Sequence, residues 1–252
     1  MKSKLLYIIA LLLLAPLSAM ALSPFEQANA AYNAQRYADA VALYDSIEVA
    51  DGVSAELYYN RGNAYYKMGK YAPAILNYER ALLLAPGNSD VKYNLELANT
   101  KISDKIEVTG TFFLNVWAAH VRDWFDTDTW AVIAVVAFLL FMVGFVVYLY
   151  TGIDRMKLKK IGFFVALPML TLSVIALWAS LAQNNRSKAH DHAIVFAPEV
   201  SVKSSPAHSG TELFILHEGT KVTLGEQVGE WVEVTISDGN KGWMPLQDVC
   251  AI

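Results

Sequence analysis

Two apolar runs, residues 130–150 and 161–181, stand back to back around the basic segment Asp154-Arg155-Met156-Lys157-Leu158-Lys159-Lys160, and no other feature limits the possible folds as strongly. At 1.5 Å rise per residue, about 20 helical residues match the roughly 30 Å hydrocarbon core of a bilayer. Both runs are therefore expected to be transmembrane helices. Arg155, Lys157, Lys159 and Lys160 adjoin both runs, and such basic clusters stay on the cytoplasmic side. The loop 151–160 is then inside, and residues 22–129 and 182–252 share the opposite face of the membrane.

The first residues agree with that orientation. Lys2 and Lys4 precede an apolar stretch too short to span, and Ala19-Met20-Ala21 has the small-x-small form of a cleavage site. Residues 1–21 are expected to be a cleaved signal peptide, with an uncleaved anchor as the alternative that Pro16 and the Ala-x-Ala ending argue against. Hydrophobic residues make up 55% and charged residues 17% of the chain, a balance set by the apolar runs on top of modest soluble parts. Lys and Arg number 9 against 14 Asp and Glu in residues 22–129, and 5 against 9 in residues 182–252. Both external parts are acidic, which argues against nucleic acid and anionic lipid head groups as partners. Cys250 is the single cysteine, so no disulfide can form within the chain.

Within 22–105, Arg36-Tyr37-Ala38-Asp39-Ala40 and Lys70-Tyr71-Ala72-Pro73-Ala74 recur 34 residues apart, as do Tyr44 and Tyr78. That period is the tetratricopeptide signature. The second copy carries Tyr58, Gly62 and Tyr65 on its first helix, Ala74, Tyr78 and Ala81 on its second, and Pro86 at its close. The small residues are expected where the helices approach and the tyrosines where space remains. The first copy has Ala28 in place of Gly62, and Ser89 is expected to cap a last helix over 90–99 that closes the stack. Asn29 and Asn63 share one repeat phase, and Asn60 and Asn94 another. These four form a candidate groove lining that could hydrogen-bond a peptide backbone, or else they only bridge neighbouring helices. Repeats that clamp a C-terminal carboxylate add basic residues to such asparagines. Here those phases hold Phe25, Asp90 and Asn94, so a carboxylate clamp is not expected.

Residues 106–129 carry Phe112, Phe113, Trp117, Trp124 and Phe125 at roughly helical spacing and read as an amphipathic juxtamembrane segment. Gly144, Gly162 and Ser173 suit close packing of the spans, and Pro168 is expected to kink the second. The spans hold no internal acid or base, so an ion pathway is not indicated. After a polar linker, 182–192, residues 193–252 turn to short β-branched runs at 193–195, 200–202, 221–224 and 231–234, separated by glycine-containing turns. A small β-barrel is expected, with Trp231 and Trp243 either packed in its core or lining a surface groove, where they are the candidate surface residues. No catalytic constellation is visible. Cys250 has no paired histidine, and His190 and His192 read as solvated linker side chains. His120, His208 and His217 are scattered, and no glycine-rich phosphate loop occurs. The expectation is a multidomain, non-enzymatic membrane protein without a cofactor or metal: an all-α repeat, a two-helix hairpin and an all-β module.

The motif order Val200 to Pro206, Leu216 to Val222, Trp231 to Val234 and Asp238 to Met244 resembles the bacterial SH3 domain. Repeat, hairpin and this domain together resemble the tetratricopeptide-containing E member of the Bat (Bacteroides aerotolerance) family. The resemblance implies a bacterial inner-membrane protein with both soluble parts in the periplasm. It further implies membrane partners bearing von Willebrand A domains, a neighbouring MoxR-type ATPase, and a role in oxidative stress tolerance and envelope maintenance. In other envelope proteins the SH3 domain binds peptidoglycan, which is the alternative reading.

Overall fold

The computed structural model describes residues 22–106, 110, 112–189 and 191–252. The expected signal peptide and His190 lie outside these residues. The first region is a stack of helices: α1 (Pro24–Asn33), α2 (Tyr37–Asp51), α3 (Ala55–Lys67), α4 (Tyr71–Leu84) and α5 (Ser89–Asn99). Each first helix of a pair starts at a local cap. Ser23 and Glu26 exchange side-chain and backbone bonds at α1, with Pro24 supplying a fixed φ, and the Ser54 hydroxyl accepts from Leu57 N–H at α3. At α5 the cap is Asn88, whose Oδ1 accepts from both Asp90 and Val91 N–H at 3.0 and 3.1 Å. Ser89, expected as the cap, is instead the first helical residue, because the longer asparagine side chain reaches two orphan donors at once.

The expected close approach is present at Gly62, where a Cβ would lie 2.7 Å from the Tyr78 ring. Tyr44, Tyr78, Ala40, Ala74 and Ala81 are buried in the shared core. One charged group is buried with them. Arg61, 4% exposed, binds Asn77 Oδ1 and Asp45 at 2.7 Å and the Glu48 carboxylate, and lies over the Tyr58 ring. Burial opposes the guanidinium charge, but the two carboxylates more than offset it and raise its pKa; burial likewise pushes Glu48 up, and Arg61 holds it down.

α6 (Phe113–Arg122) leads into α7 (Thr127–Tyr150), which a short 3-10 turn joins to α8 (Met156–Ala189). Both α7 and α8 are long and apolar enough to cross a membrane. Their contact runs along a seven-residue repeat. Buried positions on α7 are Trp130, Ala134, Ala137 and Gly144; on α8 they are Gly162, Ala166, Ser173, Ala176, Ala179, Ser180 and Gln183, of which Ala179 alone falls off the repeat. Steps of three and four keep a stripe facing its partner, and small residues let the backbones close up. At Gly144 and Gly162 an added Cβ would lie 3.0 and 2.8 Å from the opposite backbone. Ser173 Oγ donates to Ala134 O at 2.9 Å and Ser180 Oγ to Thr127 O at 3.1 Å, so the polar groups of the seam are bonded across it. The remaining faces, including Leu139, Val143, Phe164 and Val174, are exposed and apolar. α8 continues through Pro168 without a break.

The last region is an antiparallel sheet of β1 (His192–Val195), β2 (Glu199–Lys203), β3 (Glu212–His217), β4 (Lys221–Val228), β5 (Trp231–Thr235), β6 (Lys241–Pro245) and β7 (Val249–Ala251). Their order is β3-β2-β6-β5-β4-β1-β7, and the edges β3 and β7 do not pair. The expected barrel is therefore an open sheet, curled by bulges after Val202 and Leu224 over Val195, Val202, Val222, Val234 and Met244. At Gly242 a Cβ would lie 2.7 Å from the Val202 side chain, and Gly239 turns the β5–β6 hairpin at φ 93°.

The sheet packs on the repeat. Ile194 and Ile252 join the cluster that contains Ile75 and Leu57 on α4 and α3. Lys221 Nζ meets Glu79 at 2.7 Å, and Arg80 donates to Ala251 O at 2.7 Å. From the segment after α5, Ile102 fills the space over Gly219, which at φ 90° has no side chain to obstruct it. Asp104 accepts from His217 N–H (2.8 Å) and Thr220 Oγ1 (2.6 Å) and contacts the His217 ring at 2.7 Å. Burial pushes its carboxyl up, yet these bonds hold it below the usual carboxylate range.

Candidate functional site

The four asparagines singled out by repeat phase are brought together on the first helices of successive units. Asn29 on α1 and Asn60 on α3 form one pair, Asn63 on α3 and Asn94 on α5 the next. Asn60 Nδ2 donates to Asn29 Oδ1 at 3.2 Å, and Asn94 Nδ2 donates to Asn63 Oδ1 at 2.8 Å. A tyrosine from each second helix completes the set: Tyr44 OH donates to Asn29 Oδ1 at 2.5 Å, and Tyr78 OH to Asn63 Oδ1 at 2.8 Å. The same three-residue unit thus occurs twice, displaced by one repeat.

The bridging role is real, and it leaves polar capacity over. An amide offers two donor hydrogens and a carbonyl oxygen with two lone pairs. Asn29 and Asn63 spend their oxygens on the bridge, while their Nδ2 groups have no acceptor among the described residues; Asn60 has no donor to its oxygen there either. These groups face a cleft of about 280 Å³ lined by Asn29, Tyr32, Asn33, Tyr44, Asn60 and Asn63. The cleft wall carries no charged side chain, so it suits the amide groups of an uncharged or mixed segment better than a carboxylate. Burial, with the Tyr32 phenol and Glu56 adding to it, pushes the Tyr44 hydroxyl up to about 12, and burial pushes Tyr78 up as well. Both hydroxyls stay protonated donors through the neutral range.

The two tryptophans proposed for the sheet surface share one face but not one site. Lys203, Trp243 and Glu233 are in register across β2, β6 and β5, and Trp231 pairs with Pro245 on the same face two residues on. Trp231 lines a cavity of about 490 Å³ with His208, Gly229, Glu230, Pro245, Leu246 and Gln247. His208 stands edge-on to the Trp231 ring at 5.2 Å, and Lys203 Nζ lies 5.9 Å from its centroid while donating to His208 O. His208, Pro245 and Gln247 were not foreseeable as neighbours of Trp231, because a bulged sheet and an irregular 204–211 loop join them. Tyr32 and Asn33 had a readable signal, since they follow Asn29 on the same helix face. Among the described residues, no group of three His, Cys, Asp or Glu is arranged to hold a metal.

Comparison with protein families matches the tetratricopeptide repeat to residues 55–88, which cover α3, α4 and the turn that follows. Comparison with curated proteins finds no match. The matched unit belongs to a class of protein-interaction scaffolds, and no enzyme family is indicated.

Proposed function

We propose that this chain is a two-span membrane scaffold that holds a protein segment on the inner face of its repeat, with the sheet as a second interaction module. The observation that carries this reading is the doubled Asn-Tyr-Asn unit, whose first copy lines an uncharged cleft together with Asn63 while Tyr78 and Asn94 of the second lie outside that lining, within a repeat of the interaction class. The sheet packs on α4, the outer helix of the repeat, so the α1, α3 and α5 face stays open to a ligand. Contact between a region before the hairpin and one after it requires an even number of crossings, which supports two spans with both regions on one side. The basic loop argues that this side is the periplasm of a bacterial inner membrane. The Bat resemblance makes von Willebrand A-domain membrane proteins the expected partners, with oxidative stress tolerance and envelope maintenance as the setting.

A second reading makes the sheet the working end, as an SH3-like module that binds peptidoglycan; the Trp231 cavity favours it. Recovery of partners from native membranes on full-length Asn33→Arg and Trp231→Ala variants separates the two. The scaffold reading predicts that Asn33→Arg cuts recovery of von Willebrand A-domain proteins about tenfold, roughly 1.4 kcal/mol, at unchanged helix content, and that Trp231→Ala does not. Unchanged recovery on Asn33→Arg, with loss of cell-wall material on Trp231→Ala, would overturn it in favour of the second.

A further inference from the structure

We infer that α6 lies in the membrane interface, with the face formed by Phe113, Leu114 and Trp117 set into the headgroup and acyl boundary on the side that carries the repeat. This rests on the two-span reading of α7 and α8. At 100° per residue, Phe113, Trp117 and Val121 follow one line along α6, and Leu114 lies beside it, while Asn115 and Arg122 fall on the opposite side. The C-terminal end of that line has a fixed position. Val121 is buried in one cluster with Trp130, Ala134, Ala176 and Ala179 at the end of the hairpin. Trp130 Nε1 donates to Arg122 O at 2.9 Å, Gln183 Nε2 donates to Phe125 O at 3.2 Å, and Arg186 reaches Asp123 at 3.7 Å. These contacts tie the end of α6 to the level where the spans leave the hydrocarbon.

Along the rest of the same line the side chains are exposed among the described residues, with the Phe112 ring 4.9 Å from that of Phe113. Phe113 is 68% and Trp117 62% exposed, and Phe112 and Trp124 flank them, also exposed. A face whose inner end is buried against the hairpin and whose outer end is bare aromatic surface is continuous with the lipid-facing surface of the spans. Tryptophan and phenylalanine on a short amphipathic helix are the residues that settle at this depth. The consequence is mechanical. Gly87, in the turn before α5, packs against the backbone of Asp123 and Trp124, where a Cβ would lie 3.1 Å from Trp124 O. A seated α6 therefore sets the height and tilt at which the repeat cleft stands above the bilayer.

The test uses the full chain in lipid nanodiscs, with Cys250→Ser as background and one spin-labelled cysteine at a time. Relaxation by oxygen, which partitions into lipid, is compared with relaxation by a water-soluble nickel chelate. Phe113→Cys and Trp117→Cys are expected to favour oxygen, Asn115→Cys to favour the chelate, Leu139→Cys in the span to favour oxygen most, and Glu199→Cys on the sheet to favour the chelate. Chelate-dominated relaxation at 113 and 117 with Leu139→Cys still in lipid would overturn the inference alone. Shielding of 113 and 117 from both reagents would overturn it in favour of a protein partner. Chelate access at Leu139→Cys would remove the two-span reading itself.

Discussion

The two copies of the repeat keep the same polar unit and differ in how they pack around it. Copy one has Asn29, Tyr44 and Asn60; copy two has Asn63, Tyr78 and Asn94. Around these, Ala28 stands where Gly62 does, and Gln35, at φ 61°, takes the left-handed turn that Gly69 takes at φ 73°. The family match falls on the second copy, residues 55–88. The packing position 28 against 62 and the turn residue 35 against 69 thus differ between the copies, while Ala40 and Ala74, Tyr44 and Tyr78 and the asparagines of the bonded unit recur.

The largest expected effect breaks the packing difference. Gly62→Ala places a methyl 2.7 Å from the Tyr78 ring, so it is expected to destabilise the repeat by about 2 kcal/mol. Ala28→Gly in copy one removes only a methyl and is expected to cost about 1 kcal/mol. Urea unfolding of the full chain in detergent, followed by circular dichroism, measures both. Equal effects would mean that the copies pack alike.

The next effect concerns alkaline pH. Tyr44 is raised from 10.0 to about 12, chiefly by burial, and Tyr78 is raised also. For a phenol whose folded pKa is raised, the stability is complete below the unfolded value and is lost as pH rises through the folded one. The repeat is therefore expected to hold its helix content to about pH 10 and lose it as the pH climbs toward 12, with phenolate absorbance from these two rings appearing together with unfolding. Absorbance from them in the intact fold would contradict their burial.

Tyr44→Phe and Tyr78→Phe sharpen the comparison of the polar units. Each leaves the asparagine oxygen one remaining donor, so each is expected to cost about 1 kcal/mol and the two costs to agree within about 0.5 kcal/mol. The smallest effect lies at the turns. Gln35→Gly is expected to stabilise by about 0.5 kcal/mol, by removing a Cβ from a left-handed backbone, and Gly69→Gln to destabilise by about 1 kcal/mol. Thermal melts of the two variants should move in opposite directions.

The 34-residue period was legible because each element of the repeat is local and its small residues fall at fixed phase. The hairpin was legible from run length, and Gly144, Gly162 and Ser173 do lie in its seam. The full seven-residue repeat was equally present in the sequence, hidden because apolar residues surround the helices on every side and only residue size marks the stripe. The sheet was less readable. Exposed leucine and isoleucine at Leu213 and Ile215 obscured the alternation of β3, and β7 is only three residues long. Whether seven short strands close or stay open depends on bulges that no run of residues announces. The contact of Asp104 with His217 and Thr220 joins positions more than a hundred residues apart, and only the folded chain brings them together. At the site, phase placed the asparagines on one face, but the bonds that consume half their capacity needed the tyrosines opposite.

The most direct test of the scaffold account is photo-crosslinking in the native membrane from Asn33 on copy one and from Lys67, its equivalent one repeat later. One extended segment lying along both copies predicts the same partner protein at both positions, with the two adducts at successive points of one peptide. Partner adducts from the Trp231 position alone, with none from Asn33 or Lys67, would contradict it.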